Sequence, residues 1–289
     1  MPELPEVETV RRGLSELIIG KVVAKTSNDT PKSFPNTETD VAQFLLGASI
    51  TAVRRRAKVL MIDLSTDYSL VIHLKMTGQL VFVDKDQRFG AGHPNDSLVG
   101  VLPDKSTRVY IDFTDGSQLF FNDQRKFGWV KLMPTLQIPN LAFMKKVGPE
   151  PLADDFTATQ FAERFARRGR TNIKAAILDQ SVVAGVGNIY ADESLWGAKI
   201  HPQRLVASIT PDEFKALYTD VREVMNLSIE KGGSSNHTYV NAEGKRGSYM
   251  DFARVFRREG LTCPRCGTTI EKLRVAGRGT HICPHCQVL

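Results

Sequence analysis

The run Val109-Tyr110-Ile111-Asp112-Phe113-Thr114-Asp115-Gly116-Ser117-Gln118-Leu119-Phe120-Phe121-Asn122 reads as two β-rich segments, Val109 to Phe113 and Gln118 to Asn122, joined by the turn Thr114-Asp115-Gly116. Segments joined so tightly pair antiparallel. The same character extends on both sides, through Ile50 to Val53, Leu60 to Leu64, Leu70 to Leu74, Gln79 to Val83 and Gly128 to Leu132. An antiparallel sandwich or barrel follows. Asp84 to Thr107, rich in Gly, Pro and Asp, reads as a long surface loop. Ahead of the strands, Val7, Val10, Leu14, Leu17 and Ile18 fall at helical spacing, which predicts an N-terminal helix over residues 5 to 19 with one face packed on the sheets.

After Pro134 the pattern changes. Gly148-Pro149-Glu150-Pro151 leads into helices predicted over Thr157 to Arg168, Thr171 to Leu178 and about Asn188 to Trp196. A longer helix starts at Thr210-Pro211-Asp212-Glu213, where Thr210 and Glu213 make a capping box around an N1 proline, and stops at Gly232. From Gly232 to about Tyr249, Gly, Ser, Asn and Lys dominate, which reads as a mobile loop. The expected fold class is α+β. It comprises an N-terminal β-sandwich domain with its helix at 1–134, a linker at 135–150, a helical domain at 151–250 with the loop 232–249, and a cysteine-bearing finger at 251–289.

At 289 residues and 42% apolar content the chain is long enough for two domains with their own cores, and disorder is not the default. Thirty-eight Lys and Arg against 32 Asp and Glu leave a net charge of +6, which suits a polyanionic partner. No apolar run reaches the length of a membrane span, and the N-terminus has neither the basic nor the apolar region of a signal peptide. A cytoplasmic or nucleoid location is expected, where disulfides are disfavoured.

The four cysteines fit metal better. Cys263-Pro264-Arg265-Cys266 and Cys283-Pro284-His285-Cys286 are two Cys-x2-Cys pairs, the pattern in which four thiolates close a tetrahedral structural zinc site. One structural Zn2+ is expected, with His281 or His285 replacing a cysteine as the alternative. Ala276-Gly277-Arg278-Gly279 can reverse the chain between two short strands, which puts Arg278 at a hairpin tip as either a solvated charge or a probe for a phosphate. So small a segment depends on the metal, whose binding in finger peptides supplies roughly 10–16 kcal/mol.

Chemistry concentrates at the other end, in Met1-Pro2-Glu3-Leu4-Pro5-Glu6. A small second residue lets Met1 be clipped, and the exposed secondary amine of Pro2 would titrate near about 8 rather than near ~10.4 like lysine. Such an amine can attack an electrophilic carbon, and Glu3 and Glu6 can supply the proton transfers of a Schiff-base reaction. The same residues also suit an ordinary helix start, with Pro5 at N1 and Glu3, Glu6 and Glu8 at the positive end. The hexapeptide alone does not choose.

Other segments leave two readings open. Ala184-Gly185-Val186-Gly187-Asn188 is a glycine-rich turn before a helix, either an anion cradle or a tight packing turn, with Arg168, Arg170 and Lys174 as neighbouring charges. Arg54-Arg55-Arg56-Ala57-Lys58 is a basic cluster beside apolar strands or a solvated face. Met76 continues the alternation of Ile72 and Leu74 and suits a core. Arg125-Lys126-Phe127 pairs cations with an aromatic, for stacking on nucleic acid or for capping a core.

Taken in order, Pro2-Glu3-Leu4-Pro5-Glu6-Val7-Glu8-Thr9, Asn122-Asp123-Gln124-Arg125-Lys126-Phe127-Gly128, Gly187-Asn188-Ile189-Tyr190-Ala191-Asp192-Glu193 and the cysteine hairpin resemble the formamidopyrimidine-DNA glycosylase family over nearly the whole chain. The resemblance implies a bifunctional glycosylase and lyase of base excision repair that acts, as a monomer, on double-stranded DNA carrying oxidised purines. It implies that Pro2 attacks the deoxyribose C1′, expels the base and forms a Schiff base, after which β,δ-elimination cuts the strand. Glu3 is then the general acid, Glu6 assists at the sugar, Lys58 assists the β-elimination and Arg278 the δ-elimination. Asn188 and Arg170 bind the DNA backbone, and Met76, Arg125 and Phe127 fill the gap left by the extruded nucleotide. The segment 232–249 corresponds to a lesion-capping loop.

The chain departs from the family pattern at Lys105-Ser106, at Val255-Phe256-Arg257 and at Gly169. Rival readings are an endonuclease VIII-like enzyme for oxidised pyrimidines and a non-catalytic zinc-ribbon DNA-binding protein.

Overall fold

In the computed structural model, which describes residues 1–234 and 249–289, helix α1 spans Leu4–Ile18 and buries Val7, Val10, Leu14 and Ile18, the stripe its spacing predicts. That stripe packs into a core shared by two antiparallel sheets. The strands are β1 (Val23–Asn28), β2 (Ile50–Arg56), β3 (Val59–Leu64), β4 (Tyr68–His73), β5 (Gly78–Val83), β6 (Arg88–Gly92), β7 (Thr107–Phe113), β8 (Gln118–Asp123) and β9 (Trp129–Pro134). One sheet has the order β1-β7-β8-β5-β6 and the other β2-β3-β4-β9. Within the first, β7 and β8 form the expected hairpin, with Ile111 opposite Leu119 and Val109 opposite Phe121.

Both sheets carry apolar residues on both faces. Leu70 and Ile72 of β4 point into the shared core, while Val71 joins Val59, Met61, Met133 and Ile138 on the opposite face. On the other sheet, Leu80 and Phe82 face the core and Val81 packs with Leu98 and Phe120. This double burial explains why several strands read as unbroken apolar runs.

The expected surface loop at 84–107 is corrected. It contains β6 and the 3-10 turn Asp96–Leu98, and Leu98 is buried. Glycines 90 and 92 hid the strand, because they add no β-forming side chain. Close packing requires one further glycine. A Cβ on Gly13 of α1 would stand 2.2 Å from the Phe89 ring, so the helix approaches β6 only without it. The edge strand β1 was also unforeseen, because Lys25, Thr26 and Ser27 carry little apolar signal.

The chain divides into two compact units, Met1–Lys145 with Ile229–Tyr249, and Lys146–Ser228 with Met250–Leu289. The second unit holds helices α2 (Ala158–Glu163), α3 (Ile173–Leu178) and α4 (Asn188–Gly197), and the hairpin of β10 (Glu271–Val275) and β11 (Arg278–Ile282). Helix α5 runs over Pro211–Glu230 behind the capping box read from sequence: Glu213 N–H donates to Thr210 Oγ1 at 3.2 Å and Thr210 N–H to Glu213 Oε2 at 2.8 Å. Helix α2 is shorter than its pattern, giving way to a 3-10 turn at Ala166–Arg168. Phe161 packs on Phe165 and Tyr218, and Phe165 on Phe214, with ring centroids 5.0–5.8 Å apart. Among the described residues no helix is long and apolar enough to cross a membrane.

Candidate functional site

The first group of site residues is built on the N-terminus of α1. Pro2, Glu3 and Glu6 are all buried there. Glu3 is the N-cap, with extended backbone, and forms a reciprocal capping box with Glu6: its own N–H donates to Glu6 Oε2 at 2.8 Å. The second Glu6 oxygen accepts the Ser234 N–H at 2.9 Å. Glu6 therefore uses both oxygens to hold main chain, one turn beyond Pro2. Of the segment 232–249, expected from the resemblance to be a lesion-capping loop, residues 235–248 lie outside the described residues.

Two residues beyond Glu6, Glu8 gathers three arginines. Arg11 approaches it at 2.8 Å, Arg12 at 3.0 Å and Arg55 at 3.0 Å. Burial raises this carboxyl, but hydrogen bonds from Arg11 and Arg55 and their charges outweigh it and hold the group at about 2. The basic run at 54–58 is accordingly not one solvated face. Arg54 pairs with Asp63 and Arg55 with Glu8, both on β2, while Ala57 takes a left-handed conformation (φ 53°) and turns the chain so that Lys58 is buried.

His73, which the sequence did not single out, ends β4 opposite Val59, the residue after Lys58. Burial, then the charges of Lys75 and Lys58, push its imidazole down to about 3, so the ring is neutral at pH 7. Its Nδ1 accepts the Lys75 N–H at 3.1 Å, which leaves the proton on Nε2.

Met76 and Phe127 both project from turns. Met76, between β4 and β5, is 37% exposed and Phe127, between β8 and β9, is 45% exposed, so neither serves the core. Arg125 is exposed as well and stacks its guanidinium 5.0 Å from the Phe127 ring. The two turns meet at the buried Asp123, whose carboxylate accepts from Thr77 beside Met76 and from the Phe127 N–H at 2.8 Å.

In the second unit, Asn188 opens α4 after the Gly185–Gly187 turn. The turn is fastened by Gln180, whose Oε1 accepts the Gly185 N–H at 2.9 Å and whose Nε2 donates to the Val186 carbonyl at 2.8 Å. Asn188 Nδ2 donates to the Gly279 carbonyl at 3.0 Å, so it is joined to the residue after Arg278. Arg278 is exposed at the start of β11, beyond a two-residue turn in which Ala276 and Gly277 both have positive φ, 49° and 76°.

Lys174, expected to add positive charge beside this turn, is instead paired with a buried carboxylate. It is fully buried, with Nζ 2.6 Å from Asp192 Oδ1, 2.6 Å from Thr280 Oγ1 and 3.2 Å from the Gly279 carbonyl. Arg168 is tied to Asp179 at 2.5 Å. Arg170 is exposed ahead of α3, and none of the described contacts ties it to the group around Gly279.

The Asn188 to Glu193 motif turns out to be largely an anchor. Asp192 Oδ2 accepts the His281 N–H at 2.9 Å, and Glu193 accepts the backbone N–H groups of Arg254, Val255 and Phe256 at 2.8–2.9 Å. Phe256 turns its ring edge-on to His281, and Arg257 takes a left-handed backbone (φ 58°), where glycine is at ease. Ser106, at a second of the three departures, is buried and bonded to Asp104 at 2.7 Å.

The ligand atoms of Cys263, Cys266, Cys283 and Cys286 all lie within 4.8 Å of one another. Sulfur separations of 3.9, 3.4 and 3.5 Å are far beyond a disulfide and close to the about 3.8 Å expected between ligands on tetrahedral zinc bonds of ~2.3 Å. His281 is engaged on Asp192 instead of joining this set. The four cysteines make one structural zinc site.

Three family models match the chain in order. They are the formamidopyrimidine-DNA glycosylase N-terminal domain over residues 1–130, the formamidopyrimidine-DNA glycosylase H2TH domain over 147–240, and the zinc finger found in FPG and IleRS over 260–288. A formamidopyrimidine-DNA glycosylase of Pediococcus pentosaceus is 43% identical over 289 residues, covering 100% of both chains. One of Streptococcus mutans is 40% identical over 289 residues, covering 99% of each. Among solved structures, a Lactococcus lactis FPG mutant in complex with a Fapy-dG containing DNA aligns with a TM-score of 0.87 at 35% identity over 100% of both chains. The Lactococcus lactis Fpg bound to an abasic site containing DNA aligns at 0.86 and 34% identity, covering 99% of this chain and 100% of that one.

Proposed function

The chain belongs to the formamidopyrimidine-DNA glycosylase family, and from that premise we propose that it excises oxidised purines from duplex DNA through a Schiff base on Pro2 and then cleaves the strand by β,δ-elimination. It acts as a monomer on DNA in the cytoplasm. The observation that carries this reading is the placement of Pro2 and Glu3 together at the buried N-terminus of α1, where the capping box fixes the main chain beside the nucleophile.

In the encoded chain the Pro2 nitrogen is bound in a peptide bond to Met1, so methionine removal precedes activity. The freed secondary amine attacks C1′ of the damaged nucleotide. Glu3 supplies the proton that the opening sugar ring needs, and Glu6, which assists at the sugar, also holds the segment in place through main-chain N–H groups on its two oxygens. Lys58 assists the first elimination. Arg278, on a hairpin held through Gly279 by Asn188 and Lys174, serves the second. Asn188 and Arg170 bind DNA phosphates. Met76, Arg125 and Phe127 enter the duplex where the nucleotide has left, and their stacking offsets part of the few kcal/mol that extrusion costs. The division of the chain follows 1–134 as the catalytic domain, 135–150 as linker, 151–250 as the helical DNA-binding domain and 251–289 as the zinc finger that carries Arg278.

Borohydride trapping tests the reading. A covalent adduct forms on a duplex containing 8-oxoguanine and is lost in Pro2→Gly. Tight binding of the parent protein without any adduct would sink the enzyme assignment.

A further inference from the structure

A carboxylate with no solvent exposure, Asp123, stands between the turn that carries Met76 and the turn that carries Arg125 and Phe127. Four donors converge on it. Oδ2 accepts the N–H groups of Phe127 at 2.8 Å and Gly128 at 2.7 Å, and Oδ1 accepts the Arg125 N–H at 3.2 Å and the Thr77 hydroxyl. Thr77 Oγ1 in turn accepts the same Arg125 N–H at 3.1 Å. The hydroxyl therefore bridges the two turns, donating to the carboxylate of one and accepting from its main chain.

The main chain around this node is fixed independently. Asp123 N–H donates to the Ser106 carbonyl at 2.8 Å, and buried Arg108 donates through Nε to the Asp123 carbonyl at 2.8 Å. Across the β5–β8 ladder, Gly78 pairs with Asp123 and closes its own turn by donating to the Leu74 carbonyl at 2.8 Å. A Cβ on Gly128 would stand 2.6 Å from the Phe121 ring and 3.1 Å from Asp123 Oδ2, so the second turn comes this close only as glycine.

We propose that Asp123 and Thr77 are positioning residues that lock the two turns into one rigid wedge, so that Met76 on the first and Arg125 and Phe127 on the second act on the duplex as a unit. The proposal rests on the reading of those three side chains as the wedge. Its physical reason is preorganisation. Met76 and Phe127 are apolar yet held out in water, and a mobile turn would let them fold back onto apolar surface and would have to be ordered again at each encounter. A carboxylate suits the node because it offers only acceptors to four donors, whereas an amide would turn N–H groups against N–H groups.

The test compares two substrates under single-turnover conditions with zinc-loaded protein. One duplex carries 8-oxoguanine opposite cytosine, which must be extruded from the stack. The other carries a preformed abasic site, which leaves no base to extrude. Thr77→Val and Asp123→Asn slow excision from the first about tenfold, the equivalent of roughly 1.4 kcal/mol, and change strand cleavage on the second less than about twofold. Thr77→Ser restores excision, because it restores the bridging hydroxyl. Equal loss on both substrates would show a general structural role and overturn the proposal, and Thr77→Val carries the test alone should Asp123→Asn fail to fold. Met76→Ala separates the two levels. If it slows excision while Thr77→Val does not, the positioning role fails and the wedge stands; if it leaves excision unchanged, the wedge reading fails and the positioning role with it.

Discussion

Replacing Lys174 with methionine removes one charge from a pair that has no access to water, since both Lys174 and Asp192 are 0% exposed. Three partners of its Nζ among the described residues, Asp192, Thr280 and the Gly279 carbonyl, lose a donor. Methionine nearly fills the lysine volume, so a cavity contributes little. The main cost is the carboxylate left buried without its counter-charge, about 3–5 kcal/mol for breaking a buried pair from one side. For a protein of this size that lowers the melting midpoint by roughly 10 °C. The double variant Lys174→Met with Asp192→Leu removes the orphaned charge and costs less than the sum of the single changes, with a coupling of about 2 kcal/mol or more. Calorimetry of the zinc-loaded single and double variants measures all three terms. A Lys174→Met cost below about 1 kcal/mol, the value of an exposed ion pair, or strict additivity of the two changes, would show that no buried charge is orphaned.

Glu8 ties α1 to β2 through Arg55, and its carboxyl is held at about 2 against an ordinary 4.5. A depressed acid stabilises fully above its unfolded value and loses that contribution as pH falls from 4.5 through 2. Solvent screening reduces the effect, and Glu8→Gln is expected to cost about 2 kcal/mol at pH 7. In urea titrations the gap between parent and variant narrows below pH 4.5, the ordinary value of the group, and a gap independent of pH would contradict the ion-pair origin. Arg278→Ala leaves base excision intact and slows the second strand cut by about tenfold or more; equal loss of both steps on a sequencing gel would remove the separate role. Stripping the metal with a chelator unfolds the finger, because zinc supplies roughly 10–16 kcal/mol in such segments. The chemical shifts of Glu271–Val275 then lose their strand character, as they do in Cys266→Ser. Retained strand shifts in metal-free protein would be the contrary result.

What was legible from residues was whatever rests on local chemistry. The β7–β8 hairpin, the α1 stripe, the Thr210 cap and the two Cys-x2-Cys pairs are patterns completed within a few residues, where backbone geometry and side-chain type suffice. Strands β1 and β6 escaped because one is a polar edge and the other is glycine-rich, and both owe their state to the neighbours they pair with. Lys174 was misplaced for a related reason. A lysine between apolar residues reads as a surface charge until Asp192, Thr280 and the Gly279 carbonyl, distant in the chain, arrive to accept from it.

Residue type and spacing alone made a secondary amine after Met1, the acids next to it and four thiolates at metal spacing legible in the chain, because each is a local feature. How those groups are held depends on packing between segments far apart in the chain, as where Ser234 meets Glu6. Asp123 and Glu193 lie in motifs that carry the family resemblance, but what these two, Thr77 and His73 do comes from hydrogen bonds and burial that exist only after segments far apart in sequence are brought together. A buried charge or donor must find a partner at close range, and that requirement is a property of the packed interior, not of the sequence read in order.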